Sequence, residues 1–131
     1  MGEPHWIWRQ TSGQLLDASG QLVSTGYSGK GRGRNNPALQ GVQGIGPIPQ
    51  GMWRLVRLYD SDNVGPATIA LDAVDAKPGD DRHEPTGRSA FRIHGDSIRA
   101  PGTASRGCII LPRADRLKLW RSNIRLLKVE P

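Results

Sequence analysis

With 17 glycines and 10 prolines spread through 131 residues, this chain is interrupted by turn formers too often to build long helices. Glycine makes a helix entropically costly and proline removes an amide donor, so short β-strands joined by tight turns are what remain. Trp6-Ile7-Trp8-Arg9, Gln14-Leu15-Leu16-Asp17 and Gln21-Leu22-Val23-Ser24 read as three such strands, parted by Ser12-Gly13 and Ala18-Ser19-Gly20 in an opening meander. Met52 to Leu58 and Thr68 to Ala73 predict two more, the second turning Ile69, Leu71 and Ala73 onto one face. Asn123 to Val129 predicts a closing strand.

Other segments break this rhythm. The glycine- and asparagine-rich stretch from Gly26 to Gly51 is expected to be a lid, a binding loop or partly disordered, with Tyr27, Asn35 and Asn36 as lid candidates. Asp75 to Arg88 reads as a charged, proline-containing loop. Pro112 to Trp120 predicts one short helix, with Pro112 tolerated in its first turn and Leu117 and Trp120 packed on the sheet. Trp6, Trp8, Trp53 and Trp120 are expected in the core, and His5 and His83 at the surface. No repeat or linker divides the layout, so residues 1–131 read as a single all-β domain with room for one core.

The formal net charge of +6 suits an anionic partner such as nucleic acid, a membrane surface or a cell-wall polymer, and equally a plain solvated basic surface. The cations are scattered apart from Lys30, Arg32 and Arg34, without a zinc, helix-turn-helix or RNP pattern, which speaks against nucleic acid. There is no apolar run of about 18 residues, so no membrane insertion through a helix is expected. Met1 to Gln10 lacks the basic and apolar regions of a secretory signal. The three histidines lie far apart and lack acidic or thiol partners at ligand spacing, so no metal and no cofactor is expected.

Chemistry concentrates in Ile93-His94-Gly95-Asp96-Ser97 and Thr103-Ala104-Ser105-Arg106-Gly107-Cys108-Ile109-Ile110-Leu111. The flanking segments are strand-like, and the turn residues Pro101, Gly102 and Gly107 let the chain fold back so that the one cysteine meets His94. A thiol is mostly un-ionised near neutrality and needs a base, which His94 supplies in this reading. The Gly107 and Cys108 N–H groups are the expected oxyanion donors. Ser105 either orients the site or touches the substrate, or else only satisfies local backbone, and Arg106 either grips a carboxylate or is a solvated loop charge. Asp96 and Ser97 either line the pocket or orient His94, but a backbone carbonyl is the preferred partner of that ring.

Ile93-His94-Gly95 followed by Ser105-Arg106-Gly107-Cys108-Ile109 resembles the catalytic motif of L,D-transpeptidases, a histidine-glycine pair before a Ser/Thr-His-Gly-Cys signature. The turn Gly46-Pro47-Ile48-Pro49-Gln50-Gly51 before Met52-Trp53-Arg54 is similar to that family's proline-glycine turn. Gly26-Tyr27-Ser28-Gly29 and Asn35-Asn36-Pro37 look like one branch of it, the small L,D-transpeptidase-like effectors of bacterial type VI secretion. The likeness spans roughly Gly13 to Leu119. Arg106 stands where the family has a histidine, so the base role maps to His94 alone.

The resemblance implies an L,D-transpeptidase-like β-sandwich or barrel with one short helix after the nucleophile strand. It implies Cys108 and His94 as catalytic residues, and Tyr27, Gly95, Asp96, Ser97, Ser105 and Arg106 as substrate-binding candidates. The implied reaction is cysteine acyl transfer on peptidoglycan tetrapeptide stems, as L,D-carboxypeptidase and D-amino acid exchange. A secretion machine, a cognate immunity protein and action in the target-cell periplasm follow from the effector branch. A housekeeping cross-linking transpeptidase and a non-catalytic wall-binding module are the alternatives.

Overall fold

A computed structural model describes residues 3–75 and 82–131. In chain order the strands are β1 (Trp6–Arg9), β2 (Gln14–Leu16), β3 (Leu22–Thr25), β4 (Tyr27–Ser28), β5 (Gly51–Ser61), β6 (Gly65–Ala73), β7 (Arg92–His94), β8 (Ile109–Ile110) and β9 (Leu126–Glu130), with helix α1 (Arg113–Arg121) between the last two. They form one nine-stranded sheet in the order β3-β2-β1-β9-β5-β6-β7-β8-β4. The protein is β-rich with a single short α-helix among the described residues, the fold class expected from its turn density.

The two ends of that row are neighbours in sequence. A flat row of this width would hold β3 and β4 about 38 Å apart at roughly 4.8 Å per strand, yet only Gly26 separates them. The sheet is therefore rolled upon itself. Gly26 sits in the seam, its N–H on the Gly13 carbonyl at 2.7 Å, where a Cβ would run into the Ile110 carbonyl oxygen. Register shifts at Leu55/Arg57 and Tyr59/Ser61 add local twist to the long β5–β6 hairpin, which helps the sheet to curl.

Alternation then produces one apolar stripe across the strands. Trp6 and Trp8 lie opposite Leu127 and Val129, Trp53 opposite Leu127 and Ala73, Ile69 opposite Ile93, and Ile93 opposite Ile109. All belong to one buried cluster, joined by Ile48, Phe91, Leu111 and Leu119. Burial of this shared face is the main favourable term holding the rolled sheet together.

Three sequence expectations change. In α1 the residues turned inward are Arg116 and Leu119, with Trp120 partly buried against the core, whereas Leu117 is only half-buried. At about 100° per residue, Leu119 and Trp120 fall on either side of Arg116, and Leu117 lies at the edge of that stripe. The stretch 26–51 is not a structureless lid: it holds β4 and 3-10 turns at Gly31–Gly33 and Pro37–Leu39, and buries Tyr27, Ser28 and Ile48. Asn35 accepts the Ser28 N–H and Asn36 caps the second turn through the Ala38 N–H.

His83 is buried rather than superficial, stacked on Trp53 with centroids 5.5 Å apart and its Nδ1 against Thr86 Oγ1. Of the charged loop expected from Asp75 to Arg88, residues 76–81 lie outside the described residues.

Candidate active site

Strands β7 and β8 run parallel, with Ile93 opposite Ile109 and His94 opposite Ile110. One step back along the same register sets Cys108 beside Arg92. Because side chains alternate, the fully buried Ile93 and Ile109 face the core and Arg92, His94 and Cys108 share the other face. His94 and Cys108 line one cavity of about 630 Å³, walled further by Arg88, Phe91, Arg92, Arg106 and the β5–β6 turn at Asn63 and Val64.

The His94 Nδ1 lies 2.8 Å from the Gly95 carbonyl. A carbonyl only accepts, so Nδ1 carries the proton and Nε2 of the neutral ring is left as the acceptor. Burial pushes the His94 pKa below 6.5; the Gly95 carbonyl opposes this, and the charges of Arg116 and Arg92 reinforce it. Burial pushes the half-buried Cys108 thiol above 9.0, against the backbone N–H groups of Arg92 and Cys108 and the charges of Arg92 and Arg88. The Sγ donates one long hydrogen bond, to the Ala90 carbonyl at 3.8 Å. The resting pair is thus neutral imidazole and neutral thiol, suited to proton transfer during attack.

A pH profile checks this. Since the folded His94 pKa lies below 6.5, the imidazole is already a base at pH 7 and is lost only as pH falls through that lowered value. The acid limb of kcat/KM is therefore expected below pH 6.5, and a limb centred above 7 would contradict His94 as the base. His94→Ala should remove the limb and lower the rate by about a hundredfold or more.

The expected oxyanion pair is corrected. The Gly107 N–H is already spent on the Ser105 hydroxyl at 3.1 Å, which leaves the Cys108 N–H, lying against its own sulfur. Ser105 is wholly buried: its hydroxyl donates to the Cys108 carbonyl at 2.6 Å and accepts the Gly29 N–H at 2.8 Å. It ties the turn that carries Cys108 and is closed to substrate. Ser28 does the same one step away, donating to the Gly107 carbonyl at 2.7 Å and accepting the Ile48 N–H at 2.8 Å. The stretch read from sequence as a loop is therefore the bed on which Cys108 is set.

Other candidates fall outside the thiol cavity. Tyr27 donates to Asp96 Oδ1 at 2.6 Å and accepts the Ala104 N–H at 3.0 Å, and both residues line a separate groove of about 650 Å³ with Arg34. Burial first, then the Asp96 bond, pushes Tyr27 up to about 12, so it stays a donor. Burial raises the Asp96 pKa, but donors from Tyr27, Gly102 and Ser97 and the Arg34 charge outweigh this and hold it below 3.8. Gly95 and Ser97 line a third recess of about 390 Å³ beside Ile98. Tyr27 and Asp96 brace the 95–104 crossover loop, and none of the four lines the cavity of Cys108. Among the substrate-binding candidates only the exposed Arg106 shares the cavity of Cys108.

Two cations were missed from sequence. Arg88 is buried, giving hydrogen bonds to the carbonyls of Gln40, Pro47, Gly46 and Arg106 at 2.7, 2.8, 3.0 and 3.1 Å, and lies 4.9 Å over the Phe91 ring. Nothing local in the sequence marks it. Arg92 was readable, since it stands two residues before His94 in a strand and so on the same face. No group of three or more His, Cys, Asp or Glu side chains capable of holding a metal ion forms among the described residues.

A family model, the Tlde1 domain, matches residues 23–130, and the chain belongs to that family. Its members are L,D-transpeptidase-like effectors of type VI secretion directed at peptidoglycan. None of the curated proteins compared with the chain matches it.

Proposed function

We propose that the protein is an antibacterial type VI secretion toxin that acts on peptidoglycan tetrapeptide stems by cysteine acyl transfer. The observation that carries this reading is that His94 and Cys108 line one cavity in a Tlde1-family chain. Cys108 Sγ attacks the carbonyl that joins the diamino acid to the terminal D-amino acid, and its proton passes to His94 Nε2. The C–N bond then breaks and His94 returns that proton to the leaving amine. Water attacks the thioester, with His94 taking its proton, which releases the tripeptide and restores the thiol. A free D-amino acid attacking in place of water gives exchange. The Cys108 N–H is the donor nearest the developing oxyanion.

A cavity of about 630 Å³ accommodates one peptidyl ligand. Hydrolysis and exchange are accordingly favoured over cross-linking, which needs a second bulky stem at the same thioester. Delivery by a secretion machine, action in the target-cell periplasm and neutralisation by an immunity protein belong to the same proposal. Incubation with purified tetrapeptide muropeptides tests it by product mass. Tripeptides are expected in water, and swapped terminal residues with excess D-amino acid. Cross-linked dimers as the main product would replace the toxin reading with a housekeeping transpeptidase.

A further inference from the structure

The cavity around Cys108 holds more positive charge than the fold consumes. Arg88, Arg92 and Arg106 line it, and none of its lining residues is Asp or Glu. Arg88 is spent on four backbone carbonyls. Arg92 differs: it is half-buried, and among the described residues its guanidinium has no carboxylate or carbonyl partner. A half-buried cation without a partner forfeits hydration and gains nothing in return until an anion arrives.

Its placement says which anion. Arg92 rides β7 one register step from Cys108, so adjacent strands hold the two backbones about 4.8 Å apart and alternation turns both side chains to the cavity. Its charge reaches the sulfur, where it opposes the effect of burial on the thiol. Arg106, by contrast, is exposed on the turn before Gly107, outside any strand.

We propose that Arg92 is the carboxylate-binding residue of the site, gripping the terminal α-carboxylate of the leaving D-amino acid while Cys108 attacks the carbonyl one residue upstream. This rests on the acyl-transfer reading above. The two carbon atoms concerned are separated by one peptide unit, less than about 4 Å, which matches a cation and a nucleophile on neighbouring strands. A planar guanidinium meets a carboxylate with two parallel hydrogen bonds, so recognition fixes the scissile bond as well as attracting charge. A stem whose terminal carboxylate is amidated loses that grip.

Two readouts test the assignment. Iodoacetate and iodoacetamide are attacked by the same thiolate, so the ratio of their alkylation rates at Cys108 cancels the thiol pKa and reports anion recognition alone. Arg92→Gln is expected to lower the iodoacetate-to-iodoacetamide ratio at least fivefold, Arg92→Lys to retain part of it, and the remote Arg121→Gln, with the same loss of net charge, to leave it unchanged. If both rates fall together and the ratio holds, Arg92 only supports the thiolate and the proposal is overturned. With tetrapeptide muropeptides, Arg92→Gln should raise KM tenfold or more for the free carboxylate and leave the amidated form untouched; an equal loss on both also overturns it. Wild-type protein that cleaves neither muropeptide defeats the acyl-transfer reading, while the alkylation ratio still decides whether Arg92 binds carboxylates.

Discussion

Cys108→Ala is expected to abolish turnover of tetrapeptide muropeptides while the protein stays folded. The side chain is half-buried on the cavity face and the one hydrogen bond its sulfur donates is long, 3.8 Å to the Ala90 carbonyl. Truncation thus costs about 1 kcal/mol or less of packing. The chemical loss is of another order. Without a nucleophile no thioester forms, and residual binding and oxyanion contacts cannot replace it, so a fall of about 10⁴-fold or more is expected. Circular dichroism and product masses on one preparation decide the matter. Turnover above background in a folded Cys108→Ala protein would sink the covalent mechanism, and an unfolded variant would show that the sulfur is structural.

Gly107→Ala should have the largest effect on stability among single substitutions at the site. Gly107 sits at φ +141°, a conformation that side-chain-bearing residues rarely adopt. A Cβ there would stand 2.6 Å from Arg88 Nη2 and 2.8 Å from Phe91 Cε1. Neither neighbour can yield: the Arg88 guanidinium is pinned by four carbonyls, and Phe91 is buried edge-on to Trp53 with centroids 5.0 Å apart. Strain and overpacking together predict a loss of about 3 kcal/mol, read as a lower denaturant midpoint. The turn carrying Cys108 moves with it, so alkylation kinetics should change too. A midpoint within experimental error of wild type would show that the nucleophile turn is far softer than its hydrogen bonds imply.

Much of the scaffold was legible locally. The opening meander, the β5 and β6 strands and α1 follow from apolar alternation, turn residues and a proline at the helix entry, because each is decided within a few residues of chain. That His94 and Cys108 line one cavity was legible for the same reason: two short strand-like runs on either side of a turn-rich loop have few ways to lie. The partners of the loop residues were not legible. Ser105 had two readings from sequence, and what closed one of them was the Gly29 N–H, 76 residues away, bonded to its hydroxyl. Tyr27 and Asp96, 69 residues apart, likewise meet to brace the crossover loop and not the thiol.

Residue chemistry and spacing determined by themselves that the chain is β-rich, that it has one thiol, and that His94 is the histidine nearest to it in sequence, since those are properties of side chains and of short-range periodicity. Only the tertiary structure decided that Gly26 to Gly51 is a bed for the Cys108 turn, that the Gly107 amide is bonded to Ser105, and that Arg92 is the cation left over beside the sulfur. The reason is physical. A hydrogen bond or an unpaired charge depends on what the rolled sheet brings alongside from distant parts of the chain, and closing β3 against β4 across Gly26 is a long-range event that no local pattern encodes.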